Sequence, residues 1–480
     1  MSNISGTSIR NNVYWSMLER FGTVGVQFVL QLVLARILAP EDYGLCAILL
    51  VFVNIFTMLV DSGLPMALVQ QKQYSQKDYS SVFYAVLSLS IAAYGIIYLL
   101  APVCASFFNN QTIIPTLRVI SISIIFGAVN SVQVAYIKSM MLFKSQFIAS
   151  SIAVLVSAVV SIYMAVHGYG VWAIVYQYLI SRAVVTVIQT FLLAWRPTLE
   201  FSMERIKVLF AYGWKLMASN FLSLIVSDLY TAVIGKVYTK QELGVYDTGS
   251  RIPTTISNSM TVSIGAVLFP LFSQYQDDND RLKYYLKRAN VISSFFIFPL
   301  MICMAAAAEP IVMVVLTEKW AAAVPFMQIA CLMYAFYPVH VNNLHVINAI
   351  GRSDIGLKLE IIKKLLDITF LLIFIGIGLW WVAAGRLFTN LIGLWINLKP
   401  TEKLLGYSVL AQLKDIAPIL CISIITGGIL LFINELMTCS HIYVLIVQIV
   451  TGIAAYFGLS YLFNRSGLNM LLEMLKENKK

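Results

Sequence analysis

Arg20, Gln27 and Gln31 stand seven and four residues apart in an otherwise apolar stretch. On a helix they fall within an arc of about 40° and form one polar stripe. Tyr178, Arg182 and Gln189 repeat the pattern, as do Arg251, Thr255 and Asn258. A charge at membrane depth is costly and defaults to a functional reading, and an arginine presents a planar fork of donors matched to phosphate oxygens. A structural alternative stands beside each: Arg20 pairing with the adjacent Glu19 or a neighbouring helix, Arg251 anchoring at the interface by snorkelling. Asp228 sits among Asn220, Ser223, Ser227 and Thr231 with no cation nearby in sequence. It is a candidate for proton or sodium coupling, with Glu19 as a second carboxylate, and its alternative is a structural pair with one of the arginines.

Other polar groups read differently. Lys215 and Arg386 fit snorkelling or structural roles, and Arg36 and Lys236 fit turns at the interface. His340 and His345 are five apart, the wrong spacing for two ligands on one helical face. The six cysteines show no CxxC pair and read as small buried hydrophobes. There is no GxxxxGK[ST] loop, so ATP hydrolysis by that means is not indicated. Asp278-Asn279-Asp280 spells the DxD of many glycosyltransferases, but beside Arg281 and Lys283 it reads as a solvated loop. No cofactor and no metal site is expected.

The elements that must position these residues are membrane helices. The chain has 480 residues, 59% hydrophobic and only 12% charged, with a mean hydropathy of +0.82, against roughly 25% charged residues in soluble domains. The opening Met1 to Asn12 is polar and weakly charged, unlike a cleaved signal, so the first helix is expected to be retained. A crossing needs about 20 apolar residues, and fourteen such runs lie near 13–38, 43–60, 81–105, 117–140, 147–166, 171–194, 210–236, 252–272, 290–315, 324–350, 361–379, 380–398, 416–436 and 440–463. The expected fold class is all-α and polytopic. The intervening loops, 236–251 and 273–289 being the largest on either side, are too short to fold alone.

Lysine and arginine set an orientation. With the N-terminus inside, the inner loops and tails collect most cations, among them Arg205, Lys207, Arg281, Lys283, Lys287, Arg288, Arg352, Lys358, Lys363, Lys364, Lys399 and Lys403. The outer side holds Arg36, Lys236, Lys240, Arg251 and Lys319. This asymmetry and anionic headgroups account for the net charge of +10 without nucleic acid.

An internal repeat divides the chain. Tyr14-Trp15, Arg36 and Glu41-Asp42-Tyr43-Gly44-Leu45 recur as Tyr212-Gly213-Trp214, Lys236 and Gln241-Glu242-Leu243-Gly244-Val245, the basic residue and the glycine at an offset of 200. Leu64-Pro65 with Gln70 answers Phe269-Pro270 with Gln274. An even number of helices between copies makes the repeats parallel, as in transporters whose lobes rock about a central site. The expected organisation is an N-lobe at 1–194, a cytoplasmic linker at 195–209, a C-lobe at 210–398, and two further helices with a tail at 399–480.

The segments WSMLERFGTVGVQFVLQLVLARILAPEDYGL, LGVYDTGSRIPTTISNSMTVSIGAVLFPLFSQYQDD and IVMVVLTEKWAAAVPFMQIACL resemble polysaccharide exporters of the multidrug/oligosaccharidyl-lipid/polysaccharide superfamily, most of all the colanic-acid type of O-antigen-repeat flippase. The resemblance covers nearly the whole chain. It implies a multi-pass protein of the bacterial inner membrane, and the even helix count with the lysine and arginine asymmetry places both termini on the cytoplasmic side. It implies a cargo of undecaprenyl-diphosphate-linked oligosaccharide, and as partners membrane lipids and the polysaccharide polymerase and export machinery. Arg20 matches the family's early helix-1 arginine, and Arg251 the arginine that opens helix 8 in related lipid II flippases. Three rival readings stay open: a drug or small-cation exporter, expected to show buried carboxylates dominating its cavity; a ligase or polymerase, which needs a substantial outer loop; and a purely structural scaffold, which the buried charges disfavour.

Overall fold

The computed structural model describes residues 6–61, 63–70, 75–437 and 439–465, and among them the chain is helical throughout with no strand. In a bilayer every backbone donor and acceptor must be met within the protein, and a helix meets them segment by segment. By contacts the chain divides into two compact units, Met1–Gly244 and Val245–Lys480.

The first unit holds α1 (Gly6–Ile37), α2 (Pro40–Asp61), the short α3 (Leu64–Gln70), α4 (Gln76–Phe107), α5 (Ile113–Ile120), α6 (Ile122–Met140), α7 (Phe143–Val166), α8 (Val171–Leu192), α9 (Met203–Val237) and the first turn of α10 (Lys240–Gln274). Within it α1 packs on α7, α7 on α8, α6 on α4 and α8, and α2 on α9. Leu34, Ile48 and Leu49 are wholly buried. The segment between α8 and α9 is fastened to the start of α4: Ser202 N donates to Ser81 Oγ at 2.9 Å, Thr198 N to Ser80 Oγ at 3.0 Å, and Arg205 pairs with Asp78 at 3.1 Å.

The second unit continues α10 and adds α11 (Asn279–Ala306), α12 (Ala308–Ile311), α13 (Val324–Ala335), α14 (Tyr337–Ala349), α15 (Ser353–Phe374), α16 (Leu379–Leu405), α17 (Val409–Leu436) and α18 (His441–Phe463). Here α11 packs on α13, α14 and α17, and α15 on α16. Between α12 and α13 the backbone passes through a π turn and a 3₁₀ turn, joined at Thr317 with φ of 93°. A buried polar ladder joins α11, α14, α16 and α17. Asn342 donates to Asn290 and Ser293, Thr401 to Asn343 at 2.7 Å, and Gln412 to Thr401 at 3.0 Å.

All fourteen predicted runs fall on helices. Among the described residues, ten helical segments are long and apolar enough to cross a membrane. The remaining four runs lie on α1, α9, α10 and α15, of 32, 35, 35 and 22 residues. The predicted loops were too long. Most of 236–251 is α10, because Thr239 and Glu242 cap its start reciprocally: Thr239 N donates to Glu242 Oε2 at 2.9 Å and Glu242 N to Thr239 Oγ1 at 3.2 Å. Asp278 likewise accepts from Arg281 N at 3.0 Å and opens α11, which accounts for the DxD spelling as helix capping. Hydropathy marks the apolar length of a helix and misses polar turns that extend it. The cysteines are all free, but Cys421 and Cys439 are exposed, contrary to their reading as buried hydrophobes, since each occupies an outward position.

The repeat has a structural counterpart inside the first unit. A Cβ on Gly44 would collide with the Lys240 carbonyl, and one on Gly244 with the Pro40 carbonyl, and each glycine abuts the other's backbone nitrogen. Pro40 and Lys240 are themselves 200 apart, so the starts of α2 and α10 cross symmetrically on a pair of glycines. Only a residue without a side chain permits so close a helix crossing.

Candidate functional site

A cavity of about 410 Å³ with one polar side opens in the first unit between the end of α2, α3, α6 and α8. Asp61 enters from α2, Asn130, Ser131 and Lys138 from α6, and Arg182 from α8, against an apolar wall that includes Met58, Pro65 and Val134. The Arg182 charge acts on the Asp61 carboxylate, and Ser131 stands beside that group, its hydroxyl donating to the Ala128 carbonyl at 2.8 Å. The Arg182 guanidinium lies 5.7 Å from the centre of the Tyr178 ring and its side chain is exposed to the cavity.

The wall behind the cavity is fixed by buried amides. Asn130 Nδ2 donates to Gln189 Oε1 at 2.8 Å, and Gln189 Nε2 to Gln146 Oε1 at 2.8 Å, linking α6, α8 and α7. Gln133 Nε2 donates to Thr190 Oγ1 at 2.8 Å. Gln189, predicted to line the site with Arg182, is fully buried and positions Asn130.

Farther along the same face of α2, Asn54 hydrogen-bonds Asp228 of α9. The second Asp228 oxygen, Oδ2, is buried with no hydrogen-bond partner. The predicted alternative of an arginine partner for Asp228 is not what stands there among the described residues; Asn54 is. A buried acceptor without a donor is expensive.

The predicted residues separate. Arg182 lines the cavity, whereas Gln27 is exposed and Gln31 half-buried on α1, neither among its lining residues. Arg251 and Asn258 belong to the second unit. Arg251 pairs with Asp247 one turn away at 2.5 Å, and Asn258 is exposed on α10. Glu19 and Arg20 lie on α1, with side chains outside the described residues. Sequence reasoning missed Asp61, Asn130, Ser131 and Lys138. The available signal was Asn54, Thr57 and Asp61 at i, i+3 and i+7, one face of α2 by helical period.

The second unit carries a different arrangement. Lys363 pairs with Glu360 at 2.5 Å, Thr389 Oγ1 donates to Asp367 at 2.5 Å, and Arg386 Nη1 donates to the Tyr246 hydroxyl at 3.2 Å. His340 is buried and meets Asn397 at 3.2 Å. Lys363 and Lys364, expected in an inner loop, are turns of α15 instead. Their local carboxylate partners let the helix continue through them. His345 and His340 do not come together at a metal site, and the described residues hold no His, Cys, Asp and Glu cluster suited to one.

Long helices apolar enough to cross a membrane, with a cavity in the first unit that holds both signs of charge, define a polytopic helical membrane protein. The chain belongs to the polysaccharide biosynthesis protein family, whose model matches residues 33–325. It is 24% identical to the succinoglycan biosynthesis transport protein ExoT of Rhizobium meliloti, over 99% of this chain and 97% of that one. It is 23% identical to the lipopolysaccharide biosynthesis protein WzxC of Escherichia coli, over 75% and 73%. Its fold is that of the lipid II flippase MurJ in an inward closed conformation, with a TM-score of 0.75 at 18% identity, covering 94% of this chain and 99% of that one. An inward-facing multidrug resistance transporter of the MATE family, in the MOP superfamily, matches with a TM-score of 0.63 at 15% identity over 79% and 94%.

Proposed function

We propose that the protein flips undecaprenyl-diphosphate-linked oligosaccharide repeat units from the inner to the outer leaflet of a bacterial cytoplasmic membrane, for exopolysaccharide, capsule or O-antigen synthesis. The observation that carries this reading is the cavity containing Arg182 and Lys138, a cationic lining suited to an anionic phosphate group. The names of the full-length relatives, a succinoglycan transport protein and a lipopolysaccharide biosynthesis protein, support the cargo class. Both termini are cytoplasmic in this reading, following the lysine and arginine asymmetry.

Transport proceeds by alternating access of lobes at 1–194 and 210–398, and the crossed glycines 44 and 244 support the parallel repeat on which those lobes rest. Arg20, Gln27, Gln31, Arg182, Arg251 and Asn258 contact diphosphate or sugar in turn as the cavity changes sides. Asp228, with its unpartnered oxygen, takes the coupling proton or sodium ion, Glu19 being the second carboxylate. The polyprenyl tail stays outside the polar path, since burying it among polar groups would forfeit its hydrophobic stabilisation. A nearly wholly apolar groove of about 500 Å³ between α11, α17 and α18, lined by Phe295, Pro299, Met304, Leu430, Ile449 and Tyr456, supports a tail path there. The chain works beside the polymerase and export machinery and itself makes or breaks no bond in the cargo. Replacing Arg20, Arg182 and Arg251 together by glutamine should abolish export with the protein still folded; full export from that variant would remove the cationic cavity from the account.

A further inference from the structure

The second unit has a separate groove of about 490 Å³ at the end of the bundle where α15 begins and α16 finishes. Its walls are apolar, with Leu359 and Pro400 among them, and its rim carries Arg352, Lys399 and Lys403. Trp395 stands eight residues before Lys403 on α16, about 12 Å deeper along the axis, and it lines the same groove with 56% of its surface exposed. An exposed tryptophan below a cationic rim is the signature of a membrane interface.

Charge at the rim is incompletely matched. Arg352 engages Asp354 through both guanidinium arms at 2.9 and 3.1 Å, and Lys399 pairs with Glu402 at 2.8 Å. Lys403 is exposed and has no partner among the described residues. Pro400 lacks an N–H, so the carbonyl of Ile396, which also lines the groove, loses its helical donor four residues on. The groove thus offers an unpaired cation, two more cations within a rearrangement of their pairs, a backbone acceptor, and apolar walls beneath them.

We infer that this groove is a binding site for an anionic phospholipid of the inner leaflet, its phosphate on Arg352, Lys399 and Lys403 and its acyl chains along Leu359 and Trp395. Basic pockets between helices at the cytoplasmic face have this use. A glycerol headgroup fits best, because its hydroxyl supplies the donor that the Ile396 carbonyl lacks. The placement in the inner leaflet rests on the orientation given with the proposed function; the binding itself does not.

The test is native mass spectrometry of the full chain in detergent with dioleoylphosphatidylglycerol or dioleoylphosphatidylcholine, which measures binding without transport. The wild type should retain the glycerol lipid about tenfold better than the choline lipid. Arg352→Gln/Lys399→Gln/Lys403→Gln should lose that preference, while Arg352→Lys/Lys399→Arg/Lys403→Arg should keep it, and both should unfold thermally near the wild type. Equal retention of the two lipids, or an undiminished preference in the glutamine variant, overturns the proposal. So does displacement of the glycerol lipid by equimolar undecaprenyl diphosphate, which would make the groove a cargo site. Failure of export with the lipid preference intact would count against the flippase reading alone.

Discussion

On α8, Arg182 faces an open cavity and shares it with one carboxylate, Asp61, which stands beside Ser131. On α15, Lys363 lies against Glu360 one turn away, and on α16 Thr389 closes on Asp367. Both regions put charge among apolar helices. In the first, charge is left accessible and its neighbours, Asn130 and Gln189, are tied to each other. In the second, each named charge has a local partner. Charges satisfied by the protein stabilise a conformation and have little left to offer a ligand. Charges held near a cavity by amides that are themselves satisfied are available to bind. The difference separates the proposed transport surface from a structural one and directs experiments to residues that composition alone would not distinguish.

The comparison is broken most severely at Arg182. A hydrogen bond to a charged group contributes roughly 1.5–3 kcal/mol, so Arg182→Gln should lower export about tenfold or more, measured as surface polysaccharide per folded molecule. Its thermal stability should be almost unchanged; a large drop in melting temperature would show Arg182 to be structural, like Lys363.

Next in size is the glycine crossing, where the two repeats remain alike. Gly44→Ala and Gly244→Ala should each destabilise by roughly 1–3 kcal/mol through overpacking, and by similar amounts because each meets the other's carbonyl partner. Thermal unfolding of the two variants compares them directly, and an effect at one alone would deny the symmetry.

Glu360→Gln inverts the Arg182 experiment. The Glu360 and Lys363 side chains are 27% and 18% exposed, so leaving Lys363 alone should cost roughly 1–2 kcal/mol, below the range for fully buried pairs. Stability should fall while export per folded molecule holds. The smallest effect belongs to Ser131→Ala, which removes a hydroxyl beside the Asp61 carboxylate. About 0.5–1.5 kcal/mol is at stake, seen as a severalfold change in export that Ser131→Thr should restore.

How much of this was legible beforehand follows physical lines. Crossings were legible because apolar length is imposed by the bilayer, and α2, α7, α17 and α18 lie where their runs predicted. The starts of α10 and α11 were not, because Thr239 and Asp278 extend helices with residues that read as loop. Arg182 stood out as an isolated cation, whereas Asp61 was hidden at the end of α2, where an acid passes for a boundary. Lys363 and Lys364 were read as loop cations because their partner Glu360 contributes by geometry, which spacing alone suggests only weakly. Gln189 shares a stripe with Arg182, yet one faces inward and one faces the cavity, a distinction set by α6 and α7 packing against α8.

The central claim concerns the leaflet on which cargo resides. In cells lacking this protein, lipid-linked oligosaccharide should accumulate in the inner leaflet of the cytoplasmic membrane, shielded from a sugar-modifying probe added outside until the cells are permeabilised. Accumulation in the outer leaflet, fully accessible to that probe in intact cells, would contradict the flippase and favour a step after translocation.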